Sequence, residues 1–382
     1  MNPHVMLKDP KQIEAVESIR RVDDAGRLYY MESEWNYYEL PEEFQAMINP
    51  GCSTFFTRNL EGEQLFCRNY DYTHRLGNIK TAERTGINVI CKSANPQAKY
   101  KSLGVADAFW LDFKNASLGE GKADDGITDI SAFAMIPYIC MDGMNEAGLS
   151  ISIMALVVKC QWEEIEYDTY KEKLDPNKEN IELKETGEVP DENEKKAGVG
   201  SIAYNDIDKK AWICHKEWIK TTMPGKKTVL HPILMRLILD NCANVQEAVA
   251  FADQFNVASA MPGSDNHILI ADKEGNSRLL EWVDNKMNVI DINHATNYRV
   301  SADDIFHGRC PRDECIKAGL FRTEKGGMRE DFAENLMKLI VQDPTNGNDT
   351  GKTQYSCIYN LNKLHLKIFS YGKFDKSWEF DL

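Results

Sequence analysis

The sequence lacks the segments that would hold the protein in a membrane or direct its export. Its 382 residues contain no apolar run of the length, about 18 residues, that a membrane-spanning helix requires. The N-terminus reads MNPHVMLKDPKQIEAVESIRRV and contains no apolar signal region. We therefore expect no membrane span and a cytoplasmic location, with a non-standard export route as the alternative.

Basic clusters, nucleotide-binding loops and paired cysteine motifs are also missing. The formal net charge is −15, and an acidic chain without a basic cluster is not expected to bind nucleic acid. No GxGxxG or Walker-type loop is present, and we expect no cofactor. The ten cysteines are scattered, and the closest pair, Cys310 and Cys315, has no second pair to complete a zinc site. A disulfide scaffold is not expected in so large a chain.

The chain divides into an N-terminal part, a main domain and a charged insertion. Residues 1–51 are interpreted as a propeptide or extension, and residues 52–382 as the main domain. The insertion lies at about 161–225. Its first forty residues carry 13 acidic residues and 6 lysines, which indicates a solvated surface segment. A lid over a binding site is the alternative interpretation.

Strand hairpins and helices alternate after residue 51. Strand-like runs on either side of an Asn-Leu-Glu-Gly turn predict a hairpin over 52–72. Further strands are predicted at 132–138, 149–158, 266–271, 277–282, 286–290, 354–359 and 364–370. Helices are predicted over 231–241, after Asn244, near 311–320 and over 329–342. Hairpins with segregated helices indicate a layered α+β fold rather than a doubly wound parallel sheet.

Three residues of the first hairpin could form a reactive site. Cys52 begins the first strand, and Arg68 and Asp71 lie at the far end of the second. If the turn closes, both return to the neighbourhood of Cys52. An arginine beside a sulfur favours the thiolate because the guanidinium keeps its charge. Taken alone, however, a strand cysteine is more often a small buried core residue, and an Arg/Asp pair is more often a structural ion pair.

The hairpin pattern C-x15-R-N-x-D and the segment DGMNEAGL at 142–149 resemble the choloylglycine hydrolase family. That family includes bile salt hydrolases and penicillin V acylases, and acid ceramidase and N-acylethanolamine acid amidase are more distant relatives. The resemblance continues through Asn266–Trp282, Met287–Asn297 and the closing hairpin. It covers about residues 52–160 and 226–382.

The resemblance implies a four-layer αββα fold of the N-terminal-nucleophile type, with two antiparallel sheets between helical layers. It also implies hydrolysis of a linear amide, such as a conjugated bile acid, penicillin V or an N-acyl amine. Homo-oligomers, tetramers or dimers, are frequent among such relatives. By motif position, the implied catalytic residues are Cys52, Arg68, Asp71, Asn297 and Arg309.

The resemblance implies a role for each of these positions. Cys52 is the nucleophile, Asp71 binds its α-amino group, and Asn297 helps to form the oxyanion hole. Arg309 is the second active-site arginine. Arg312 is the alternative, because the alignment shifts easily by three residues at this point.

Two departures from the family pattern weaken a bile-salt assignment. Bile salt hydrolases carry a further asparagine shortly after the DGMN-like motif, where this chain has Ala155. They also have a long stretch between the oxyanion asparagine and the second arginine, whereas only Tyr298–Gly308 intervenes here. The short spacing is closer to the ceramidase-like branch.

An N-terminal cysteine carries its own base, because the reference pKa of an α-amine, about 7.7–8.0, lies close to that of a thiol, about 8.5. While Gly51 is attached, this nitrogen is an amide and cannot act as a base. The resemblance therefore implies that residues 1–51 are removed autocatalytically by an N-to-S acyl shift at Gly51-Cys52. Glycine at this point leaves the backbone little hindered.

Three alternatives stay open at this point. A papain-like enzyme would pair a cysteine with a distant histidine, for which His215, His267 and His294 are candidates. The protein could instead be a binding or scaffold module on the same fold that is never processed. Thirdly, the cut segment could stay bound and cover the pocket with the aromatic residues Tyr29, Tyr30, Trp35, Tyr37 and Tyr38.

Overall fold

The fold was examined in a computed structural model of the chain. The structure describes residues 9–38, 51–72, 87–111, 131–157, 160–174, 180–183, 200–216, 220–259, 264–301, 308–342 and 352–382.

Strands dominate this part of the chain. They are β1 (Arg20–Arg21), β2 (Leu28–Ser33), β3 (Gly51–Arg58), β4 (Gln64–Asp71), β5 (Asn88–Ser93), β6 (Ser102–Asp107), β7 (Cys140–Asn145), β8 (Leu149–Val157), β9 (Cys160–Ile165), β10 (Ile181–Glu182), β11 (Ile202–Asn205), β12 (Lys210–Lys216), β13 (Lys227–Leu230), β14 (Phe255–Ala258), β15 (Ser264–Asp272), β16 (Ser277–Val283), β17 (Lys286–Ile290), β18 (His294–Ala295), β19 (Thr353–Asn360), β20 (His365–Ser370) and β21 (Ser377–Asp381). The α-helices are α1 (Pro10–Glu17), α2 (His231–Asn241), α3 (Val245–Ala252), α4 (Pro311–Thr323) and α5 (Glu330–Leu339). Three 3₁₀ helices cover Ala108–Leu111, Ser131–Ile139 and Tyr167–Lys173.

Two large sheets form the centre of the molecule. The first has nine strands in the order β1-β2-β5-β6-β7-β8-β15-β16-β17, and the second has six in the order β18-β3-β4-β19-β20-β21. All pairings within them are antiparallel except that of β2 with β5. The α+β class and several sheets expected from the sequence are confirmed.

The two large sheets contact each other through buried polar and apolar side chains. Thr54 Oγ1 of β3 lies 3.1 Å from Ser152 Oγ of β8, and both residues are buried. One hydrophobic cluster includes Phe66 and Tyr355 from the six-stranded sheet and Ile153 from the nine-stranded sheet. Helix α2 packs on β7 and β8, while α4 and α5 pack on β3 and β4.

The N-terminal segment 9–38 is part of the nine-stranded sheet. Asp9 caps α1 with a capping box, and ten residues separate the end of this helix from strand β2. Strand β2 pairs in parallel with β5 over its whole length, from Leu28 opposite Asn88 to Ser33 opposite Ser93. The segment is therefore held by a complete ladder of backbone hydrogen bonds rather than by side chains alone.

Buried aromatic and charged side chains also anchor this segment. Tyr37 is inaccessible to solvent, and its hydroxyl donates to Asp240 Oδ1 of α2 at 3.0 Å. Asp240 is paired in turn with Arg236, one helical turn earlier. Trp35 is also buried and lies edge-on to Tyr37. Removing the segment would expose both aromatic rings and a buried ion pair.

One predicted strand is wrong. The apolar run at 132–138 lies within the 3₁₀ helix Ser131–Ile139 instead of a strand. Its described side chains are almost completely buried on all sides, so the run has no polar face from which a period could be read.

The charged insertion contains a small sheet that the sequence did not reveal. Strands β9 to β12 form a four-stranded sheet in the order β10-β11-β12-β9. A small hydrophobic cluster beside it contains Tyr170, Ile202 and Ala211. Cys214, in β12, is disulfide-bonded. Most of the acidic run at 175–199 lies outside the described residues. The interpretation of this segment as a lid therefore also lies outside them.

No helix within the described ranges is long and apolar enough to cross a bilayer.

Candidate active site

Cys52 lies at the centre of a buried polar cluster between the two large sheets. It is the second residue of β3, and its side chain is inaccessible to solvent. In the β3–β4 ladder, Tyr70 is opposite Cys52 and Asp71 is opposite Gly51. The predicted hairpin is confirmed, and its register places Asp71 across from the peptide bond that joins Gly51 to Cys52.

Arg68 approaches the sulfur directly. Its Nη2 donates to Cys52 Sγ at 2.9 Å, and its side chain is completely buried. Arg68 is opposite Thr54 in the ladder. Because alternate residues of paired strands point to one face, Arg68 projects to the same side of the sheet as Cys52. A buried guanidinium at this distance stabilises negative charge on the sulfur.

The arginine is balanced by Asp142, which the sequence analysis did not select. Arg68 Nε lies 2.9 Å from Asp142 Oδ2, and neither side chain is exposed. Tyr355 donates to the same carboxylate at 2.5 Å, and Tyr359 donates to its other oxygen. Asp142 begins the DGMN motif on which the resemblance rests. A single acidic residue in an otherwise buried strand was therefore the signal that could have identified it.

Replacing Asp142 by alanine is expected to lower the free energy of unfolding by about 3–5 kcal/mol, because Arg68 would keep its buried charge without a partner. Urea unfolding of the purified variant measures this effect. The matched control is Asp291→Ala, which breaks the ion pair of Arg278 with a carboxylate that is 81% exposed. That variant should lose less than about 1 kcal/mol. Equal losses in the two variants would contradict the role given to Asp142.

Asp71 joins the cluster through an ion pair with Arg312. Its Oδ2 accepts from Arg312 Nη1 at 2.9 Å, and its Oδ1 accepts from Thr353 Oγ1 at 2.5 Å. Burial raises the pKa of Asp71, and the Arg312 guanidinium and the Thr353 hydroxyl oppose that rise. The carboxylate could therefore accept a hydrogen bond from an α-ammonium group at Cys52.

Asn297 contacts the backbone of Cys52. Its Oδ1 accepts from the Cys52 N–H at 3.0 Å and from Arg312 Nη2 at 2.8 Å. Its Nδ2 donates to the carbonyl of Ala155 at 2.7 Å. Two donors on one side and an acceptor on the other fix the orientation of the amide. The second hydrogen of Nδ2 has no part in these contacts.

The structure places Arg312 at the site and leaves Arg309 outside it, which corrects the choice made from the sequence. Arg312 Nη1 donates to the carbonyl of Cys52 at 3.1 Å as well as to Asp71. Arg309 is exposed in the turn that precedes α4. Arg312 lies in the first turn of α4, next to the buried Asp313, and this side of the helix contacts β3.

The thiol of Cys52 is protonated at neutral pH while Gly51 is attached. Burial raises the pKa of Cys52 to about 12, although the nearby Arg68 charge and a backbone N–H act in the opposite direction. The thiolate, not the thiol, is the nucleophile. Transfer of the thiol proton is therefore part of any reaction at this sulfur.

The three histidines of the papain-like alternative have other partners. His267 contacts Glu281 and Thr296, and His294 lies 3.4 Å from Asp313. His215 pairs with an exposed glutamate in the insertion. Within the described residues, no histidine hydrogen-bonds to Cys52, and no group of three or more His, Cys, Asp or Glu side chains is arranged to hold a metal ion.

Comparisons with known proteins agree with the resemblance. Residues 218–303 match the family model of acyl-coenzyme A:6-aminopenicillanic acid acyl-transferase, a segment that includes Asn297 but not Cys52. This match confirms the resemblance in that part of the chain. No curated protein sequence matches the chain.

Solved structures similar to this one include two variants of conjugated bile acid hydrolase from Clostridium perfringens. Both are 14% identical, with TM-scores of 0.46 and 0.47, and they cover 87% and 86% of this chain and 92% of their own. Penicillin V acylase from Agrobacterium tumefaciens is 13% identical, with a TM-score of 0.39, and covers 87% of this chain and 86% of its own.

Proposed function

We propose that the protein is an N-terminal-nucleophile hydrolase that cleaves linear amides with Cys52, after removal of residues 1–51. The observation that carries the proposal is the convergence of Arg68, Asn297 and Arg312 on the sulfur and the backbone of one cysteine. Asp71 joins this group through its ion pair with Arg312. A merely structural cysteine needs packing around its sulfur. It does not need an amide oxygen on its nitrogen and a guanidinium on its carbonyl.

The same geometry suits self-cleavage. In this reaction, Cys52 Sγ attacks the carbonyl carbon of Gly51, and the thiol proton passes to the Cys52 nitrogen as the peptide bond breaks. The resulting thioester joins Gly51 to Sγ, and water hydrolyses it to a free carboxylate and a free thiol. Asp71, opposite Gly51 in the ladder, is positioned to receive the ammonium group that replaces the amide.

Hydrolysis of a substrate amide then follows from the free α-amine. The amine takes the thiol proton, the thiolate attacks the substrate carbonyl, and the proton returns to the departing amine. Arg68 stabilises the thiolate. In this proposal, the Nδ2 hydrogen of Asn297 that does not bond to Ala155 donates to the developing oxyanion, where one donor typically contributes about 3–4 kcal/mol. Water finally hydrolyses the thioester.

The substrate proposed here is a small molecule with an N-acyl bond and an apolar acyl side. Conjugated bile acids, penicillin V, N-acyl amines and acyl-homoserine lactones belong to this class. The proposal includes a four-layer αββα arrangement, which the packing of α2 on one large sheet and of α4 and α5 on the other supports.

The experiment that tests the proposal combines the intact mass of the purified chain with a panel of N-acyl substrates. We expect the loss of residues 1–51 as a covalent part of the chain, a new N-terminus at Cys52, and hydrolysis of at least one amide. A chain that keeps Met1 joined to Cys52 at every pH, with reductant present, would favour the alternative of an unprocessed binding or scaffold protein.

Acyl transfer is a second candidate, which the match to an acyl-transferase family favours. The two reactions share the thioester and differ in whether water or an amine receives the acyl group. Adding primary amines to the substrate assay separates them. A new amide product at the expense of the free acid indicates a transferase, and an unchanged yield of acid indicates a hydrolase.

We further propose that segment 9–38 stays bound after cleavage. The segment is joined to the rest of the chain by the β2–β5 ladder and by the hydrogen bond from the buried Tyr37 to Asp240. Neither contact involves the peptide bond at Gly51-Cys52. After cleavage, the segment would therefore persist as a separate chain that completes the nine-stranded sheet.

Tyr37→Phe is expected to weaken the hold on this segment by about 1–3 kcal/mol, because Asp240 loses a buried hydrogen-bond donor. Dissociation in increasing urea, followed by size-exclusion chromatography and mass analysis, measures the change. Tyr30→Phe is the matched control, since in the described part of the chain the Tyr30 hydroxyl bonds only to Glu32 of the same segment. Loss of the segment from the wild-type protein at cleavage would contradict the proposal itself.

A further inference from the structure

A buried histidine contacts the loop that carries Asn297. His267, in β15, is inaccessible to solvent. Its Nε2 lies 2.8 Å from the carbonyl oxygen of Thr296, and its Nδ1 lies 3.0 Å from Glu281 Oε1 in the adjacent strand β16. The contact to Thr296 is one residue from the asparagine that bonds to the Cys52 backbone.

Glu281 holds the other end of the same loop. Its two carboxylate oxygens accept from the backbone N–H of Val300 at 2.9 and 3.2 Å, and Oε2 also accepts from Ser301 at 2.8 Å. The His267–Glu281 pair therefore contacts the loop on both sides of Asn297, while both members of the pair belong to strands of the nine-stranded sheet.

The hydrogen bonds require both nitrogens of His267 to carry protons. The Thr296 carbonyl can only accept a hydrogen bond. Glu281 already accepts backbone N–H groups on both oxygens, which is the pattern of a carboxylate. Burial raises the pKa of Glu281, and the hydrogen bonds from the backbone N–H groups of Ser301 and Val300, which do not depend on the charge of His267, oppose that rise. An imidazole between two acceptors makes both hydrogen bonds only as an imidazolium.

The charges around the ring agree with a cation at His267. Arg299, in the same loop, pairs with the buried Asp265 of β15. His231 of α2 lies 3.9 Å from Asp265, and burial lowers the pKa of His231 to about 3, so that it is neutral. Two carboxylates then face one arginine, and a charged His267 makes the buried group neutral as a whole. With a neutral ring, Glu281 would keep its backbone hydrogen bonds but would have no cationic partner among these side chains.

We infer that His267 is an imidazolium in the folded protein and a positioning residue for Asn297, which it fixes against the Cys52 backbone together with Glu281. The catalytic part of this inference rests on the proposed function. His267 touches no reacting atom, and it acts through the place it gives to the asparagine amide. A carboxylate–histidine pair is thus used here to set a loop rather than to move a proton.

The protonation state is tested by nitrogen NMR of the purified protein, cleaved or uncleaved, labelled at histidine. The His267 signals are assigned by their loss in His267→Gln, with His365→Gln as a comparison at an exposed site. Two protonated ring nitrogens are expected at neutral pH. One protonated and one unprotonated nitrogen would overturn the inference, and this result does not depend on any enzymatic activity.

The positioning role is tested by kinetics of His267→Gln and Glu281→Gln on the best amide of the panel. We expect kcat to fall about 100-fold with little change in KM, the scale of a misplaced catalytic group. Alkylation of Cys52 by iodoacetamide needs no oxyanion donor and should keep its wild-type rate. Ile270→Ala, a core change in the same strand, controls for lost stability and should keep kcat.

The outcomes distinguish the positioning role of His267 from the proposed function. Full kcat in both variants, with an active wild type, would overturn the positioning role and leave the proposed function standing. A fall in alkylation rate parallel to kcat would show general damage to the site and would equally overturn it. An inactive wild type would contradict the proposed function alone, and NMR would still decide the charge of His267.

Discussion

Cys52→Ala is expected to remain a single full-length chain without amidase activity. The variant lacks the sulfur that attacks both Gly51 and the substrate, and within the described residues no other thiol lies in contact with Arg68 and Asn297 together. The rate of amide hydrolysis should fall about 10⁴-fold or more, because the covalent route has no second nucleophile. Intact mass and the substrate panel measure the two effects on one preparation.

Two matched variants give the Cys52 result its meaning. Cys52→Ser keeps the size of the side chain and a weaker nucleophile, so slow cleavage over days with little amidase activity is expected. Cys67→Ala removes a buried thiol of β4 that packs in a hydrophobic cluster with Phe55 and Ile358. Strand alternation places this thiol on the opposite face of the sheet from Arg68. It should cleave and hydrolyse normally if it folds. Cleavage of Cys52→Ala at the wild-type rate would point to a contaminating protease and would refute self-processing.

Arg312→Ala is expected to lower kcat/KM about 10²–10³-fold, the effect of losing a donor that orders a catalytic centre. Arg312 contacts the Cys52 carbonyl, Asp71 and Asn297 at once. Without it, Asp71 loses its charge partner and Asn297 loses one of the two donors that orient its amide. Self-cleavage, followed by intact mass against time, should slow as well.

Arg309→Ala is the control for Arg312 and separates the two arginines that the sequence left as alternatives. Arg309 is exposed, so its loss should change kcat/KM by less than about twofold, as for most surface substitutions. The reverse pattern, with Arg309 essential and Arg312 dispensable, would mean that the active arrangement differs from the one described here. Thermal unfolding of both variants shows whether either effect comes from stability.

Local patterns predicted the parts of this site that depend on neighbouring residues. The hairpin 52–72 follows from two strand-like runs around one turn, and strand alternation then decides which side chains share a face. Helices α2 and α3 follow from Pro232 and from the Asn244 cap. The family resemblance identified Asn297. The position of a residue in the sequence does not, however, show which atoms its side chain contacts.

The features that the sequence did not reveal depend on tertiary packing. Arg309 and Arg312 are three residues apart, one in the turn before α4 and one in its first turn, and the packing of α4 on β3 decides which of them reaches Cys52. In the sequence, Asp142 is one acidic residue among apolar neighbours. Its partners Tyr355 and Tyr359 belong to the six-stranded sheet and contact it only in the folded structure. The run at 132–138 has no polar face, so its conformation is decided by the surrounding core.

The partners of Cys52 come from distant parts of the chain. Asn297 follows it by 245 residues and Arg312 by 260, and Thr353, the partner of Asp71, follows that residue by 282. Contacts between such distant residues form late, because the entropy of closing long loops opposes them until most of the structure exists. A nascent or misfolded chain therefore holds a cysteine without its surroundings. Cleavage between Gly51 and Cys52 would then occur only in a chain whose folding is complete. The folded state would thus be a condition for activity on any substrate.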